Sequence, residues 1–431
     1  MPLTTSGFPD RSAVEAHQLA KLRALLAELL SGNPFYSDKL RTAGLDPNLA
    51  NLEEFFGRVP FTLKEELVRD QRDHPPYGSN LTFPLERYTR FSQTSGSTGK
   101  PMRWLDTPES WDWMLDNWAQ VFRSAGVSAK DRIFFAFSFG PFLGFWTAFE
   151  SATRIGCLCI PGGGMRSAAR LRAIIETGAS VLCSTPTYAI RLAEVAAEEK
   201  IDLAAAKVRK IITAGEPGGS IPATRAYIEI LWPGAHVVDH HGMTETGPVS
   251  YGCPKQRGVL HVIESAYIAE ILEPVSGRAV PPGGTGELVL TSLGRTGSPL
   301  LRYRTCDVVQ RAVGARCECG NHDLALLGGI LGRTDDMVVV RGVNVYPSAV
   351  EEVLRACAGV AEYRVEIRTN RALPEMRIQV EPSSEHEDAA GMTRRLEAAL
   401  SNAFGLRIPV SSVPSGKLPR FEMKAQRWVR L

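Results

Sequence analysis

The stretch "TSGSTGKP", Thr94 to Pro101, gathers hydroxyls, glycines and one lysine into a single loop. A loop of that kind can aim backbone N–H groups and hydroxyls at one anion. Glycine lets the backbone approach closely and take positive φ, and Lys100 adds a mobile cation. Phosphate is the natural guest. The loop is not a Walker A sequence, because only Ser97 and Thr98 separate Gly96 from Gly99, and Pro101 follows Lys100. Taken alone, a plain surface turn has the same composition. A second chemical cluster lies further on. "YGCPKQRGVLH" supplies Cys253 and His261, and "RCECGNH" supplies Cys317, Cys319 and His322. Soft thiolates with imidazole suit tetrahedral Zn²⁺. Cys253, His261, Cys317 and Cys319 are the expected ligands, with His322 in reserve; the alternative is a set of unliganded reduced thiols. Four protein ligands leave no open position, so the metal would be structural rather than catalytic.

The elements that must position these groups show in the patterning. Residues 11 to 70 read as mostly helical, beginning with "RSAVEAHQLAKLRALLAELLSG" and its glycine stop. From Ala125 to about Ser250, strand-like runs ("RIFFAFS", "SVLCS", "VRKIITAG", "AHVVDH") alternate with helical ones ("SAARLRAIIETG", "TYAIRLAEVAAEEK"), which predicts a parallel sheet with crossover helices. "AYIAEILEPVSGRAVPPGGTGELVLTSL" predicts a hairpin or small barrel-like β part. "DMVVVRGVNVYPSAVEEVLRAC" reads strand, loop, helix. "AEYRVEIRTN", "MRIQVEP" and "AAGMTRRLEAALSNAF" add two strands and a helix, enough for a small α+β domain. The fold class is α/β, and the expected division is residues 1–333 and 334–431.

Composition excludes several classes. The chain has 431 residues, 44% hydrophobic and 22% charged, with net charge +2. No basic block points to nucleic acid or to a membrane surface. The most apolar run, Ile133 to Phe149, is shorter than the roughly 20 residues of a membrane helix and is broken by Ser138, Gly140, Pro141 and Gly144. It reads as buried strand, turn and helix start. No secretory signal is visible in "MPLTTSGFPD", so a cytoplasmic location and reduced thiols are expected. Cys157, Cys159, Cys183 and Cys357 sit in apolar surroundings and read as small core residues.

Four more stretches give the opening loop its meaning: "HHGMTETG", "LLRYRTCD", "LGRTDDMVVVRG" and "LPRFEMKAQRW". In this order, the set resembles the adenylate-forming superfamily of acyl-CoA synthetases and adenylation domains. "RGVNVYPSAVEEVL", "GKLPRFEMKAQRWVRL" and the compact length resemble its phenylacetate-CoA ligase branch, from about Gly57 to the C-terminus.

The resemblance implies that ATP and an aryl acid give an acyl adenylate and pyrophosphate, after which coenzyme A takes the acyl group. It further implies that Ser95, Gly96, Ser97, Thr98, Gly99 and Lys100 hold the β- and γ-phosphates. Glu245, beside Thr244, matches the Mg²⁺ ligand; the alternative is a capped glutamate at a helix start. Asp307 matches the ribose-binding carboxylate, although Cys306 replaces the usual glycine before it. Gly215, Glu216 and Pro217 border the adenine, and His240, His241 and Gly242 lie close by. Arg333 matches the arginine near ribose and phosphate, and Asp335 sits at the hinge on which a mobile C-terminal domain swings. Lys424 matches the catalytic lysine, with Met423 replacing a glycine; Lys417 is the second candidate. Phe139, Phe142, Ala214 and His240 would line the acid pocket, with Trp146 read as core. The resemblance is compatible with a homodimer. Two rival readings remain: transfer of the aryl group to a carrier-protein thiol or an amine, and a catalytically silent nucleotide-binding protein of the same fold. Lys100, Glu245, Asp307 and Lys424 argue against the silent one.

Overall fold

The computed structural model describes residues 7–94, 101–314, 316–341, 343–370, 373–383, 388–421 and 425–431. Ser95 to Lys100 and Glu422 to Lys424, which hold the expected phosphate loop and the expected catalytic lysine, lie outside the described residues.

A five-stranded sheet forms the centre. Its order in space is Leu158–Pro161, Arg132–Phe135, Val181–Ser184, Lys210–Thr213 and His236–Asp239, all parallel. Strand alternation sends neighbouring side chains to opposite faces, and here both faces are dry. Ile133, Phe135, Val181, Cys183 and Ile212 pack with helices Pro108–Ser124 and Leu143–Ile155. Phe134, Leu182, Ile211 and Val237 pack with helices Ser167–Thr177, Pro186–Glu198 and Pro222–Leu231. Burial on both sides explains why these strands read as continuous apolar runs. The sequence pattern missed the edge strand Leu158–Pro161, whose residues are only half-buried or exposed.

The helix boundaries follow local chemistry. Helix Arg11–Gly32 starts at Asp10, whose side chain accepts from Ala13 N–H. Helix Pro186–Glu198 starts at Thr185, with Pro186 in its first turn. Helix Leu143–Ile155 stops at Gly156, which takes the left-handed conformation at φ +95°.

The predicted β part is an open six-stranded antiparallel sheet, half a barrel, in the order Ser250–Gly252, Val259–Val262, Ala325–Arg333, Tyr303–Arg311, Thr285–Ser292, Tyr267–Leu272. Register shifts between Glu287 and Val289 and between Val308 and Val309 curve it. Its inner face, including Tyr251, Leu260, Leu288 and Leu290, closes the core shared with the parallel sheet.

A separate core joins Val338, Val345, Leu354, Val365, Ile378 and Leu396. The stretch after Asp336 differs from the sequence expectation: strands Val338–Val340 and Val343–Val345 form a hairpin before helix Pro347–Ala356. Valines on both sides of the turn make the second strand. The sheet here runs Val410–Ser412, Leu373–Pro382, Val360–Asn370, Trp428–Arg430. Glu381 accepts from Gly416 N–H at 2.6 Å and Leu418 N–H at 3.0 Å and pairs with Arg420, which ties the segment before residue 422 to the sheet, as pairing with Val360–Asn370 ties the strand after it.

Candidate active site

Several of the expected site residues follow the carboxyl ends of the parallel strands, where open α/β sheets bind ligands. Phe139 comes after strand Arg132–Phe135, Ala214 to Pro217 follow Lys210–Thr213, and His240 to Glu245 follow His236–Asp239. The strands flanking the expected phosphate loop, Arg90–Gln93 and Arg103–Asp106, pair antiparallel, and Met102 N–H donates to Thr94 Oγ1 at 3.0 Å. Gln93 N–H donates to Pro141 O at 2.7 Å, which holds this hairpin against the aromatic segment.

Thr244 and Glu245 do not start a helix. They form the turn between the short paired strands Gly242–Met243 and Gly247–Pro248. Gly242 is forced to be glycine, since a methyl group there would stand 2.8 Å from Gly247 O. The turn is braced from beneath by Arg295, which is fully buried. Its guanidinium donates to both oxygens of Asp106 at 2.7 Å and to the carbonyls of Thr244 at 2.7 Å and Glu245 at 2.8 Å. Glu245 keeps its carboxylate free of that brace and meets Lys64 Nζ at 3.4 Å. Sequence reasoning missed Lys64, Asp106 and Arg295. They lie far apart in the chain and in no recognisable motif, and only the fold brings them to this turn.

His241, Asp307, Arg333 and Asp335 come together as one chain of contacts. His241 Nε2 lies 3.0 Å from Asp307 Oδ2, and Arg333 donates to Asp307 Oδ1 at 3.1 Å and to both oxygens of Asp335 at 2.8 Å. Cys306 takes φ +65°, the left-handed region that glycine adopts freely, so the backbone keeps the glycine-like shape at the cost of local strain. Thr334 N–H donates to Cys306 O at 2.8 Å and ties that shape to the segment next to Asp335.

His240 is buried, and its ring lies on Trp118 with centroids 4.2 Å apart. Burial pushes its pKa down to about 3, so the ring is neutral. Its Nδ1–H donates to Ser250 O at 2.6 Å, which leaves Nε2 as an acceptor. Phe139 is half-buried in an aromatic group: centroids 4.6 Å from Phe137, 4.7 Å from Trp146 and 5.4 Å from Phe149. Phe145 stacks on Phe137 at 4.3 Å. Phe142 stands at the start of helix Leu143–Ile155 and is half-buried. Trp146, read as core, is half-buried and donates its ring N–H to Gly140 O at 3.0 Å. Glu216 departs from the expected nucleotide contact in one respect: both carboxylate oxygens accept backbone N–H groups, from Thr187 and from Ala425, each at 2.9 Å.

The Cys/His group also converges. The ligand atoms of Cys253, His261, Cys317 and Cys319 all lie within 4.8 Å of one another. Cys253 and Cys317 sulfurs are 3.7 Å apart, and Cys319 Sγ is 3.5 Å from His261 Nε2. Tetrahedral zinc with bonds of about 2.3 Å puts two sulfurs roughly 3.8 Å apart, so the donor set fits. His261 Nδ1–H donates to Asp323 O at 3.1 Å, which turns Nε2 toward the thiols. His322, the reserve ligand, stands outside the group.

The chain matches the AMP-binding enzyme family over residues 91–295 and the AMP-binding enzyme C-terminal domain over residues 342–430. It is 30% identical over 425 residues to a phenylacetate-coenzyme A ligase of Pseudomonas putida, covering 96% of this chain and 93% of that one. The chain belongs to the phenylacetate-CoA ligase branch of the AMP-binding enzymes. Among solved structures of such ligases, 2-hydroxyisobutyryl-CoA ligase in the postadenylation state with an acyl-AMP superposes with TM-score 0.92 at 28% identity, over 98% of this chain and 90% of that one. The same ligase with its acyl-AMP and CoA in the thioesterification state gives 0.70 at 29% identity, over 99% and 91%. The arrangement of this chain is thus more similar to that ligase's postadenylation structure than to its thioesterification structure.

Proposed function

We propose that this protein is an AMP-forming ligase that joins an aryl carboxylic acid to coenzyme A. The chemistry is a carboxylate oxygen attacking the α-phosphorus of ATP, with pyrophosphate leaving, followed by a thiol attacking the acyl carbon, with AMP leaving and the thiol proton passing to solvent. The obstacle in the first step is repulsion between two anions, which cations and N–H donors must offset in a site poor in water. The observation that carries the reading is the linked set His241, Asp307, Arg333 and Asp335 beside the braced Glu245 turn, at the sheet edge where ligands bind.

In this reading Asp307 accepts the ribose hydroxyls, His241 and Arg333 hold that carboxylate in place, and the backbone at Gly215 to Pro217 borders the adenine. Ser95 to Lys100 take the phosphates, Thr244 and Gly242 shape the turn beside them, and Lys424 offsets charge on the carboxylate and α-phosphate. Glu245, a hard oxygen donor, would hold the Mg²⁺ that accompanies ATP and neutralises its phosphates. Phe139, Phe142, Ala214 and His240 would face the acid. The flat aromatic group and the acceptor nitrogen of His240 favour an aryl acid, with phenylacetate, hydroxybenzoates and aminobenzoates as the candidates.

The division at residues 333 and 334, with Asp335 as hinge, is part of the same proposal, as are a cytoplasmic site of action and a homodimer. Zinc on Cys253, His261, Cys317 and Cys319 would pin the loop after Gly252 to the segment before the hinge. Metal analysis of protein purified without chelator should find about one zinc per chain; protein free of zinc would count against it.

The test is acid-dependent exchange of pyrophosphate into ATP over a panel of aryl acids, then mass spectrometry of the products with coenzyme A. Exchange with a coenzyme A thioester as product is expected. Exchange without the thioester would favour a carrier-protein thiol or an amine as acceptor, and no exchange with any acid would sink the reading.

A further inference from the structure

Glu216 does two jobs with one carboxylate. Oε1 accepts from Thr187 N–H at 2.9 Å, in the first turn of helix Pro186–Glu198, where the helix dipole favours a negative charge. Oε2 accepts from Ala425 N–H at 2.9 Å. A helix cap needs only the first bond. The second reaches residues whose neighbours Trp428 to Arg430 belong to the C-terminal sheet, and Ala425 directly follows Lys424 in sequence. Arg427 approaches the same helix start: its guanidinium donates to Thr187 Oγ1 at 3.3 Å while bound to Glu362 at 2.6 Å and 3.1 Å. The two bodies thus meet at one helical turn, in an arrangement that matches the postadenylation state of a related ligase with TM-score 0.92 and its thioesterification state with 0.70.

We propose that Glu216 is a positioning residue for adenylate formation, a latch whose carboxylate seats the Lys424-bearing segment through Ala425 N–H and releases it when the C-terminal part turns toward the thioester step. This rests on the ligase reading above. Glu216 acts through the backbone of Ala425 rather than on the substrate. A bond to a charged acceptor is strong enough to bias the pose. Glu216 is half-buried, so water can take the place of Ala425 N–H on release. Its bond to Thr187 lies within the N-terminal part and survives the turn, which keeps the carboxylate aimed for the next cycle.

The experiment uses the full chain as wild type, Glu216→Gln and Glu216→Ala, with phenylacetate, benzoate and their hydroxy and amino derivatives as probes. The best acid is used to measure pyrophosphate exchange, and its synthetic acyl adenylate is used with coenzyme A to measure thioester formation alone. Glu216→Ala should lower exchange by about ten- to a hundredfold and lower the thioester step by a clearly smaller factor, with the exchange rate of Glu216→Gln between those of wild type and Glu216→Ala. Ala425→Pro removes the N–H from the other side, and adding Glu216→Ala to it should cost no further exchange. Exchange at the wild-type rate in Glu216→Ala, an equal fall in both half-reactions, or a full additional loss in the double variant would each overturn the latch. A wild type that exchanges with no acid would instead overturn the ligase reading, and the latch with it.

Discussion

Two buried arginines divide the labour of this molecule differently. Arg295 has no exposure and spends its guanidinium on Asp106 and on two carbonyls of one turn, all within the N-terminal part and all at 2.7 or 2.8 Å. Arg427 is also buried, yet its short bond stays inside the C-terminal part, to Glu362 at 2.6 Å, and its reach across to Thr187 is 3.3 Å. The first fixes the Glu245 turn within one part of the molecule. The second leaves a longer contact at the face that parts in the proposed cycle. Other cross-contacts have the same character: Ala223 N–H to Glu352 at 3.2 Å, and Arg420 to Glu194 at 3.4 Å between partly exposed side chains. A turn held within one part and a contact between two parts are thus built from the same residue type with different partners.

The contrast breaks most sharply at Asp106. Asp106→Ala strands a fully buried guanidinium and should lower unfolding free energy by about 3 to 5 kcal/mol in denaturant titration. Little loss would mean that the brace is not what holds the turn. Lys424→Ala should leave stability alone and lower pyrophosphate exchange by about a hundred- to a thousandfold, with a smaller effect on thioester formation from the adenylate. Chelation of zinc, or Cys319→Ser, should cost about 2.7 kcal/mol of stability where free zinc stands at about a hundred times its Kd, and should spare the C-terminal core. Smallest is Glu194→Gln, which removes a partly exposed cross-contact and should shift stability by less than about 1 kcal/mol. A large fall in the folded fraction there would mean that the face is welded rather than hinged.

Much of this was legible in the chain itself, for reasons that differ by element. Strands buried on both faces, such as Val181–Ser184, announce themselves as apolar runs, and helix Arg11–Gly32 carries its own start and stop. The exposed edge strand Leu158–Pro161 lacks that signal, and the hairpin after Asp336 hides in a row of valines that reads equally as strand and loop. In the site, His241, Asp307 and Arg333 stand in compact motifs and do meet in space. Arg295 and Lys64 could not be read, because their value lies in partners 189 and 181 positions away along the chain. Glu216 stood in a legible motif, but its second partner, Ala425, lies 209 positions away along the chain.

The strand Trp428–Arg430 runs parallel beside Val360–Asn370, and Glu381 grips Leu418 and Arg420 on the near side. In the proposed cycle both moorings belong to the smaller body and travel with it, much as a door handle moves only with its door.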